Sequence, residues 1–187
     1  MKNLMLVLCL LVFCTHCAAE EIRQTKQIKD LEVTLRLESG TMLLGRPFPV
    51  EVMVTNVGSG DVVIGDMLVF LKNFNVKVFD LTYNEPVPLT RAGRWAQDNF
   101  RGRNREIALA PGESVLLGRS LLGRDFDLSV LAKYRVELTW YPGTVTKEPP
   151  KDKPEGITLT AEFNVMPDLV ADPPAPRKQV APAKQQP

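Results

Sequence analysis

Apolar and polar residues alternate along several short stretches of this chain. The most regular run covers residues 133–141. Its apolar side chains all fall on one side: Tyr134, Val136, Leu138 and Trp140. A period of two predicts a β-strand with one face buried and the other exposed to solvent. Pro142 and Gly143 follow directly and predict a turn that ends this strand.

Further alternating runs predict a chain built mainly from strands. They cover residues 31–37, 50–54, 107–109, 114–122 and 157–165, and a hairpin is expected between residues 76 and 89. Residues 20–30 show no clear period and are expected to be a polar leader to the first strand. Residues 67–71 are apolar on both faces, which leaves helix and buried strand equally open. About seven to nine short strands without a convincing amphipathic helix predict an all-β sandwich of two antiparallel sheets.

The two ends of the chain differ in composition from its middle. Lys2, an apolar run from Leu4 to Phe13 and small residues up to Ala19 predict a secretory signal peptide over residues 1–19. Residues 167–187 hold six prolines and few large apolar side chains, so we expect a disordered proline-rich tail. The sandwich domain is therefore assigned to residues 20–166. This organisation predicts a secreted or periplasmic protein with no membrane span in the mature chain.

The predicted cleavage would remove the side chains that most catalytic and metal sites require. All three cysteines and the only histidine precede residue 20: Cys9, Cys14, His16 and Cys17. Without them, a Ser-His-Asp arrangement, a thiol nucleophile and a His or Cys zinc site are excluded. A formal net charge of +1 gives no overall field that would recruit nucleic acid. We expect no enzymatic activity and no cofactor.

Two aspartate pairs could supply oxygen ligands to calcium. One pair is Asp125 and Asp127, and the other is Asp61 and Asp66. Aspartate is also common at turns, where it bonds to nearby backbone amides. We therefore interpret both pairs as turn residues and expect no metal site.

Residues 90–106 form the most distinctive polar stretch of the chain. Seventeen residues are long for a connection in a compact domain, and loops of that length are often functional. Arginine and tryptophan are enriched where proteins bind partners. The predicted partner-binding residues are Arg91, Arg94, Trp95, Phe100, Arg101, Arg103 and Arg105. Two acidic residues also lie here, which leaves a local charge of +3 and predicts an acidic protein patch or anionic glycan as partner. Alternatively, Trp95 and Phe100 cover the end of the sandwich and the arginines are merely solvated.

Three motifs follow one another along most of the chain from Leu31 to Val165. They are Val50-x-Val52-x-Val54-x-Asn56-x-Gly58, Leu109-x-Pro111-Gly112-Glu113 and Ala132-x-Tyr134-x-Val136-x-Leu138-x-Trp140. In this order they resemble the immunoglobulin-like and fibronectin type III-like sandwiches of bacterial secreted and periplasmic proteins. The resemblance implies that the ring of Tyr134 is buried and that its hydroxyl bonds to the backbone a few residues earlier.

A narrower resemblance concerns the hairpin from Val76 to Leu89 and the later Pro-Gly-Glu turn. Together they are similar to the small sandwich family of bacterial intracellular proteinase inhibitors. This chain departs from that family in its secretion signal and in the longer loop after the hairpin.

The leading hypothesis is a non-catalytic, secreted or periplasmic immunoglobulin-like module that binds a protein or glycan. A second hypothesis is a proteinase inhibitor that presents the 90–106 loop or the hairpin at Tyr83. A third is a structural component of the cell envelope. The sequence leaves the partner and the oligomeric state open.

Overall fold

The computed structural model describes residues 20–99, 105–142 and 155–169, and these are mostly strands in antiparallel sheets. The strands are β1 (Ile22–Ile28), β2 (Leu31–Leu37), β3 (Thr41–Leu43), β4 (Pro49–Asn56), β5 (Val62–Asp66), β6 (Phe74–Asp80), β7 (Glu85–Pro86), β8 (Arg105–Leu109), β9 (Ser114–Leu121), β10 (Lys133–Trp140) and β11 (Ile157–Met166). The helical segments are α1 (Phe70–Asn73), α2 (Arg91–Asn99) and α3 (Leu122–Asp125). The predicted all-β class is confirmed.

The described strands form two main sheets and one small ladder. The first sheet has the order β1-β2-β4-β9, and the second has the order β3-β11-β10-β6-β7. Strands β5 and β8 pair with each other in a separate two-stranded ladder. Every described pair is antiparallel except that of β3 with β11.

The inward faces of the two main sheets share one apolar core. In β10 every second side chain from Tyr134 to Trp140 is at most 2% exposed, as the alternation predicts. Strand β11 follows the same rule, with buried side chains at alternate positions from Ile157 to Val165. The hydroxyl of Tyr134 donates a hydrogen bond to the Val130 carbonyl at 2.8 Å, so the bond implied by the resemblance is present.

The two predicted turn motifs meet in space through Asn56. Its side-chain amide donates to the carbonyls of Gly60 and Leu109, at 2.7 and 2.9 Å. Its backbone carbonyl accepts from the amide of Gly112 at 2.8 Å. Gly112 has a φ of +78°, and Glu113 N–H bonds to the Ala110 carbonyl at 3.0 Å, which confirms the predicted type II turn.

The expectation that residues 20–30 form a leader is wrong. Strand β1 occupies most of that range and pairs with β2 from Ile22 opposite Leu37 to Ile28 opposite Leu31. The run predicted as the first strand is therefore the second. Most side chains of β1 are only partly covered or fully exposed because it is an edge strand, so its sequence carries no apolar alternation.

The absence of a convincing helix is also a wrong prediction, since Arg91–Asn99 forms α2 within the stretch expected to be a loop. Its apolar residues Ala92, Trp95 and Ala96 have helical spacing, but they form a short stripe among arginines and other polar residues, and within the helix the core buries only Gly93. The undecided region at residues 67–71 enters the single helical turn α1. The predicted signal peptide and the tail beyond residue 169 lie outside the described residues.

Candidate functional site

A cleft of about 740 Å³ lies where three separate parts of the chain meet. One wall is the segment from Leu68 to Leu71, which precedes and enters α1. Helix α2 forms the second wall, and the end of β9 together with α3 forms the third. The lining is mainly apolar, with three arginines among it: Arg91, Arg119 and Arg124. An apolar cavity with a few convergent polar groups is the usual form of a binding site.

Thr90 fixes the start of helix α2 against α3. Its Oγ1 accepts a hydrogen bond from the amide of Gly93 at 3.0 Å, which is the usual bond of an N-cap residue. The same hydroxyl donates to the Arg124 carbonyl at 2.5 Å, and the Thr90 amide donates to the Asp125 carbonyl at 2.9 Å. The cap thus ties the first turn of α2 to the third wall of the cleft.

Gly93 is the point of closest approach between α2 and α3. A Cβ atom at this position would lie 2.2 Å from the backbone oxygen of Asp125 and 3.0 Å from the Leu89 side chain. Backbone oxygen cannot move aside as a flexible side chain can, so only glycine allows this packing. The helix is therefore placed by one glycine contact and one cap rather than by a buried apolar face.

The cleft side of α2 carries Arg91, Ala92, Trp95 and Ala96. These positions share one helical face because residues four apart lie one above the other. Trp95 is 59% exposed, although it is the largest side chain in the lining. More than half of the Trp95 ring is therefore open to solvent, while Phe100, its partner in the alternative of a cover on the sandwich, lies outside the described residues.

The opposite wall is held by a network around the buried carboxylate of Asp66. Its oxygens accept from the Leu68 amide, the Asn73 side chain and the Arg105 guanidinium, at 2.8, 2.6 and 2.7 Å. The Asn73 side chain in turn accepts from the Met67 amide at 2.6 Å. These bonds fix Leu68 with a φ of +58°, which is unusual for a bulky residue, and leave its side chain 52% exposed.

The base of this wall packs against β9 through two aromatic rings. The ring centroids of Phe70 and Phe74 lie 5.0 Å apart. A Cβ atom at Gly118 would lie 2.8 Å from the Phe74 ring and 3.0 Å from the Phe70 ring. Gly118 thus provides the space that lets Phe70 line the cleft.

The three cleft arginines differ in how they are held. Arg124 bonds through Nε to the Asp125 carboxylate at 2.9 Å, and Arg119 pairs through Nε with Glu51 at 3.2 Å. Arg91 has no ion-pair partner among the residues that the structure describes. The site therefore contains one unpaired guanidinium and two others that are oriented by neighbouring carboxylates.

Asp125 is buried at the base of the cleft with its charge already compensated. Ser120 donates a short hydrogen bond to its Oδ2, and Arg124 contacts both of its oxygens. The Ser120 hydroxyl and the Asp125 carboxylate are thus already bonded to each other within the protein. Among the described residues of the cleft, the charge that no carboxylate compensates is that of Arg91.

The predicted site residues have separate positions. Arg91 and Trp95 lie in the cleft, and Arg94 is on the same helix but outside the lining. Arg105 is in β8, where it binds Asp66 behind the opposite wall. Phe100, Arg101 and Arg103 lie outside the described residues.

Leu68, Arg119 and Arg124 are among the cleft residues that sequence reasoning missed. They come from distant parts of the chain, and no spacing in the sequence connects them with Trp95. Two local signals of the helix were available: Thr90, since threonine is a common N-cap residue, and the helical spacing of Ala92, Trp95 and Ala96.

Neither aspartate pair weighed as a calcium site is arranged as one. Asp66 and Asp125 are buried and already hold the bonds described above. Among the described residues, no group of three His, Cys, Asp or Glu side chains could hold a metal ion. No helix in the described part of the chain is long and apolar enough to cross a membrane.

No known protein-family model matches the chain, and no curated protein has a sequence that matches it.

Proposed function

We propose that the protein is a non-catalytic immunoglobulin-like module that binds an anionic partner through the cleft beside α2. The observation that carries the proposal is Trp95. Its ring is 59% exposed in a cleft that also contains Arg91, Arg119 and Arg124. Exposure of so large an apolar side chain has an energetic cost that a bound partner removes.

The chemistry of the lining supports binding rather than catalysis. Tryptophan and arginine are the residue types that most often dominate binding energy at protein interfaces. Arginine offers a planar fork of N–H donors that matches carboxylate, phosphate and sulfate groups. The one buried acid in the lining, Asp125, is occupied by Ser120 and Arg124. Arg124 is paired with Asp125 and Arg119 with Glu51, so Arg91, which has no carboxylate partner among the described residues, gives the cleft its uncompensated positive charge and favours an anionic partner.

Two features of the fold support the immunoglobulin-like part of the proposal. Two main sheets share one core, and Tyr134 makes the backbone bond that marks the corner of such sandwiches. The proposal also places the module in a periplasm or outside the cell. That part rests on the sequence of residues 1–19, which has the charge and apolar pattern of a secretory signal.

Inhibition of a proteinase is less well supported by the same geometry. An inhibitor of the loop-presenting type needs an extended, rigid backbone, whereas residues 91–99 form a helix. Tyr83 is 72% exposed in the hairpin between β6 and β7, so that turn is accessible for an inhibitory contact. An assay against trypsin-like and chymotrypsin-like proteinases tests this alternative directly.

The proposal is tested by affinity capture from envelope and secreted fractions of the source organism. The bait is the mature chain, compared with a variant that carries Arg91→Ala and Trp95→Ala. Arg23→Ala is the matched control because Arg23 is an exposed arginine on β1, far along the sheet order from β9. All baits should show the same thermal unfolding, since the three side chains are exposed.

We expect the same partner to be recovered with the parent and with Arg23→Ala, and to be absent with the double variant. Recovery of the same partner by the double variant would contradict the proposal. So would the failure of the parent to retain any partner above the background of an unrelated sandwich domain.

A further inference from the structure

We infer that the group bound in the cleft is an acidic peptide segment of a protein partner, with a bulky apolar side chain inserted between Leu68 and Trp95. This inference rests on the proposed function and specifies the ligand of that site. It chooses a peptide over an anionic glycan, which the sequence alone left equally open.

The lining argues against a sugar. Glycans present many hydroxyl groups, and burying these requires a matching set of hydrogen-bonding side chains. Most of the cleft wall is instead aliphatic or aromatic, from Leu68, Val69, Phe70, Leu71, Ala92 and Ala96. The polar side chains that complete it are three arginines, Ser120 and Asp125. Ser120 and Asp125 bond to each other, so little remains to receive a sugar hydroxyl.

The free donors of the cleft match carboxylates. Arg124 uses Nε and one terminal nitrogen on Asp125 and Ser120. Arg119 uses Nε on Glu51, and no bond of its terminal nitrogens occurs within the described residues. Together with Arg91 they offer several N–H groups, the geometry that binds side-chain carboxylates in two-pronged pairs.

Surface beyond the cleft indicates a ligand larger than the cavity. Leu68 and Trp95 both line it, yet they remain 52% and 59% exposed, so apolar surface continues outward from its mouth. Arg94 extends the basic surface along the solvent side of α2. A small molecule enclosed in the cavity would leave these groups unused, whereas a peptide crossing the mouth contacts both.

The Leu68 wall is fixed before any ligand arrives. Asp66 and Asn73 hold the backbone at residues 67 and 68 through hydrogen bonds of 2.6 to 2.8 Å. The left-handed conformation of Leu68 costs energy that a glycine would avoid, yet a leucine is present. Strained conformations of this kind are concentrated at ligand contacts, where a fixed geometry lowers the cost of binding.

Binding is tested with three synthetic ten-residue peptides, each labelled with fluorescein. The first alternates Glu and Asp around a central Phe-Leu pair. The second replaces every acidic residue with Lys, and the third replaces Phe-Leu with Ser-Ser. A sulfated heparin oligosaccharide and vesicles of anionic phospholipid are tested alongside them. Fluorescence anisotropy measures peptide binding. A shift in tryptophan emission shows that the peptide binds near Trp95, because the other tryptophan of the chain, Trp140, is only 2% exposed.

The protein variants are Arg91→Ala, Leu68→Gly and the control Arg23→Ala. Glycine suits the positive φ at position 68, so Leu68→Gly keeps the backbone and removes only the apolar side chain. We expect the first peptide to bind and to shift Trp95 emission. Arg91→Ala and Leu68→Gly should each weaken the affinity for this peptide by about tenfold, because each removes one typical hot-spot contact. The Lys and Ser peptides should bind at least about tenfold more weakly than the first.

Two kinds of failure can be told apart. If affinity capture still depends on the cleft but the acidic peptide neither binds nor competes, the ligand class is wrong and the proposed function stands. Stronger cleft-dependent binding of heparin or of the vesicles would also overturn the peptide assignment. If capture does not depend on Arg91 and Trp95, and peptide binding does not depend on Arg91 and Leu68, the proposed function itself fails. Peptide binding that disappears with Arg91→Ala and Leu68→Gly but persists with Arg23→Ala is the result that supports the inference.

Discussion

The core between the sheets and the corner around the cleft are built by different physical means. In the core, apolar side chains from β2, β4, β10 and β11 repeat at every second position and are almost fully buried. At the corner, a few local contacts fix the chain. They are the hydrogen bonds of the Thr90 cap, the hydrogen bonds of the Asp66 carboxylate and the close backbone approach at Gly93. The core is thus specified many times over, whereas each wall of the cleft depends on one or two residues.

This difference separates stability from binding. Each core side chain packs against many neighbours, so a disruptive substitution there lowers the stability of the whole domain. A polar interaction at the corner places one wall of the cleft, so its removal should change binding more than unfolding. Four substitutions test this separation, in order of decreasing effect on stability.

Val136→Asp should have the largest effect. Val136 is fully buried in β10, and a carboxylate there would have no partner, which costs more than about 4 kcal/mol. We expect loss of the cooperative thermal transition measured by circular dichroism. Thr139→Asp adds the same charge to the outward face of the same strand and should cost less than about 1.5 kcal/mol. A Val136→Asp protein that melts like the parent would mean that the facing of β10 is wrong.

Asp66→Ala is the most damaging change at the corner. It leaves the Asn73 amide, the Leu68 amide and Arg105 without their acceptor, at a cost of about 2 to 4 kcal/mol. Chemical denaturation gives the change in free energy of unfolding. Asp61→Ala is the control, because Asp61 is exposed at the other end of the same strand, and it should change stability by less than about 0.5 kcal/mol. Equal effects of the two substitutions on the free energy of unfolding would show that the Asp66 hydrogen bonds do not stabilise the Leu68 wall.

Gly93→Ala should separate the two regions most clearly. The added methyl group cannot fit against the Asp125 carbonyl, so α2 must move away from α3. Alanine is the better helix former, and the rest of α2 is not buried, so we expect a net loss of at most about 2 kcal/mol. Trp95 emission and peptide binding should change strongly while the thermal transition persists. Unchanged binding would show that the position of α2 does not form the site.

Tyr134→Phe should have the smallest effect. It removes the bond to the Val130 carbonyl, which contributes about 0.5 to 1.5 kcal/mol net. Burial, with the nearby charges of Asp80 and Asp127, raises the pKa of the Tyr134 hydroxyl above its usual value near 10. Above that pH the unfolded chain binds fewer protons than the native state, so the free energy of unfolding falls as pH rises.

The parent should therefore lose more stability than Tyr134→Phe between about pH 9 and pH 11. Denaturation curves at several pH values measure the difference. Parallel losses in the two proteins would mean that Tyr134 does not contribute to the alkaline decline.

Predictability from sequence follows the same division. The facing of β10 and β11, the hairpin and the type II turn were readable, because each depends on residues adjacent in the chain. Strand β1 was missed because it is mostly exposed and carries no apolar period. Helix α2 was missed because its helical spacing rests on three residues, Ala92, Trp95 and Ala96, within a stretch rich in arginine. The cleft joins residues from three segments that are distant in the sequence. Leucine is not a residue type that predicts positive φ, so the left-handed conformation of Leu68 could not be predicted.

Strand β1 also protects the protein from pairing with copies of itself. Two of its side chains reach across to the backbone of β11: Lys26 Nζ donates to the Thr158 carbonyl at 2.7 Å, and the Gln24 side-chain oxygen accepts from the Thr160 amide. Uncovered, these backbone groups would offer a second chain an edge on which to add a strand. A polar strand that adds little to the core thus covers an open edge, and we expect proteolytic removal of residues 20–28 to make the protein more prone to self-association.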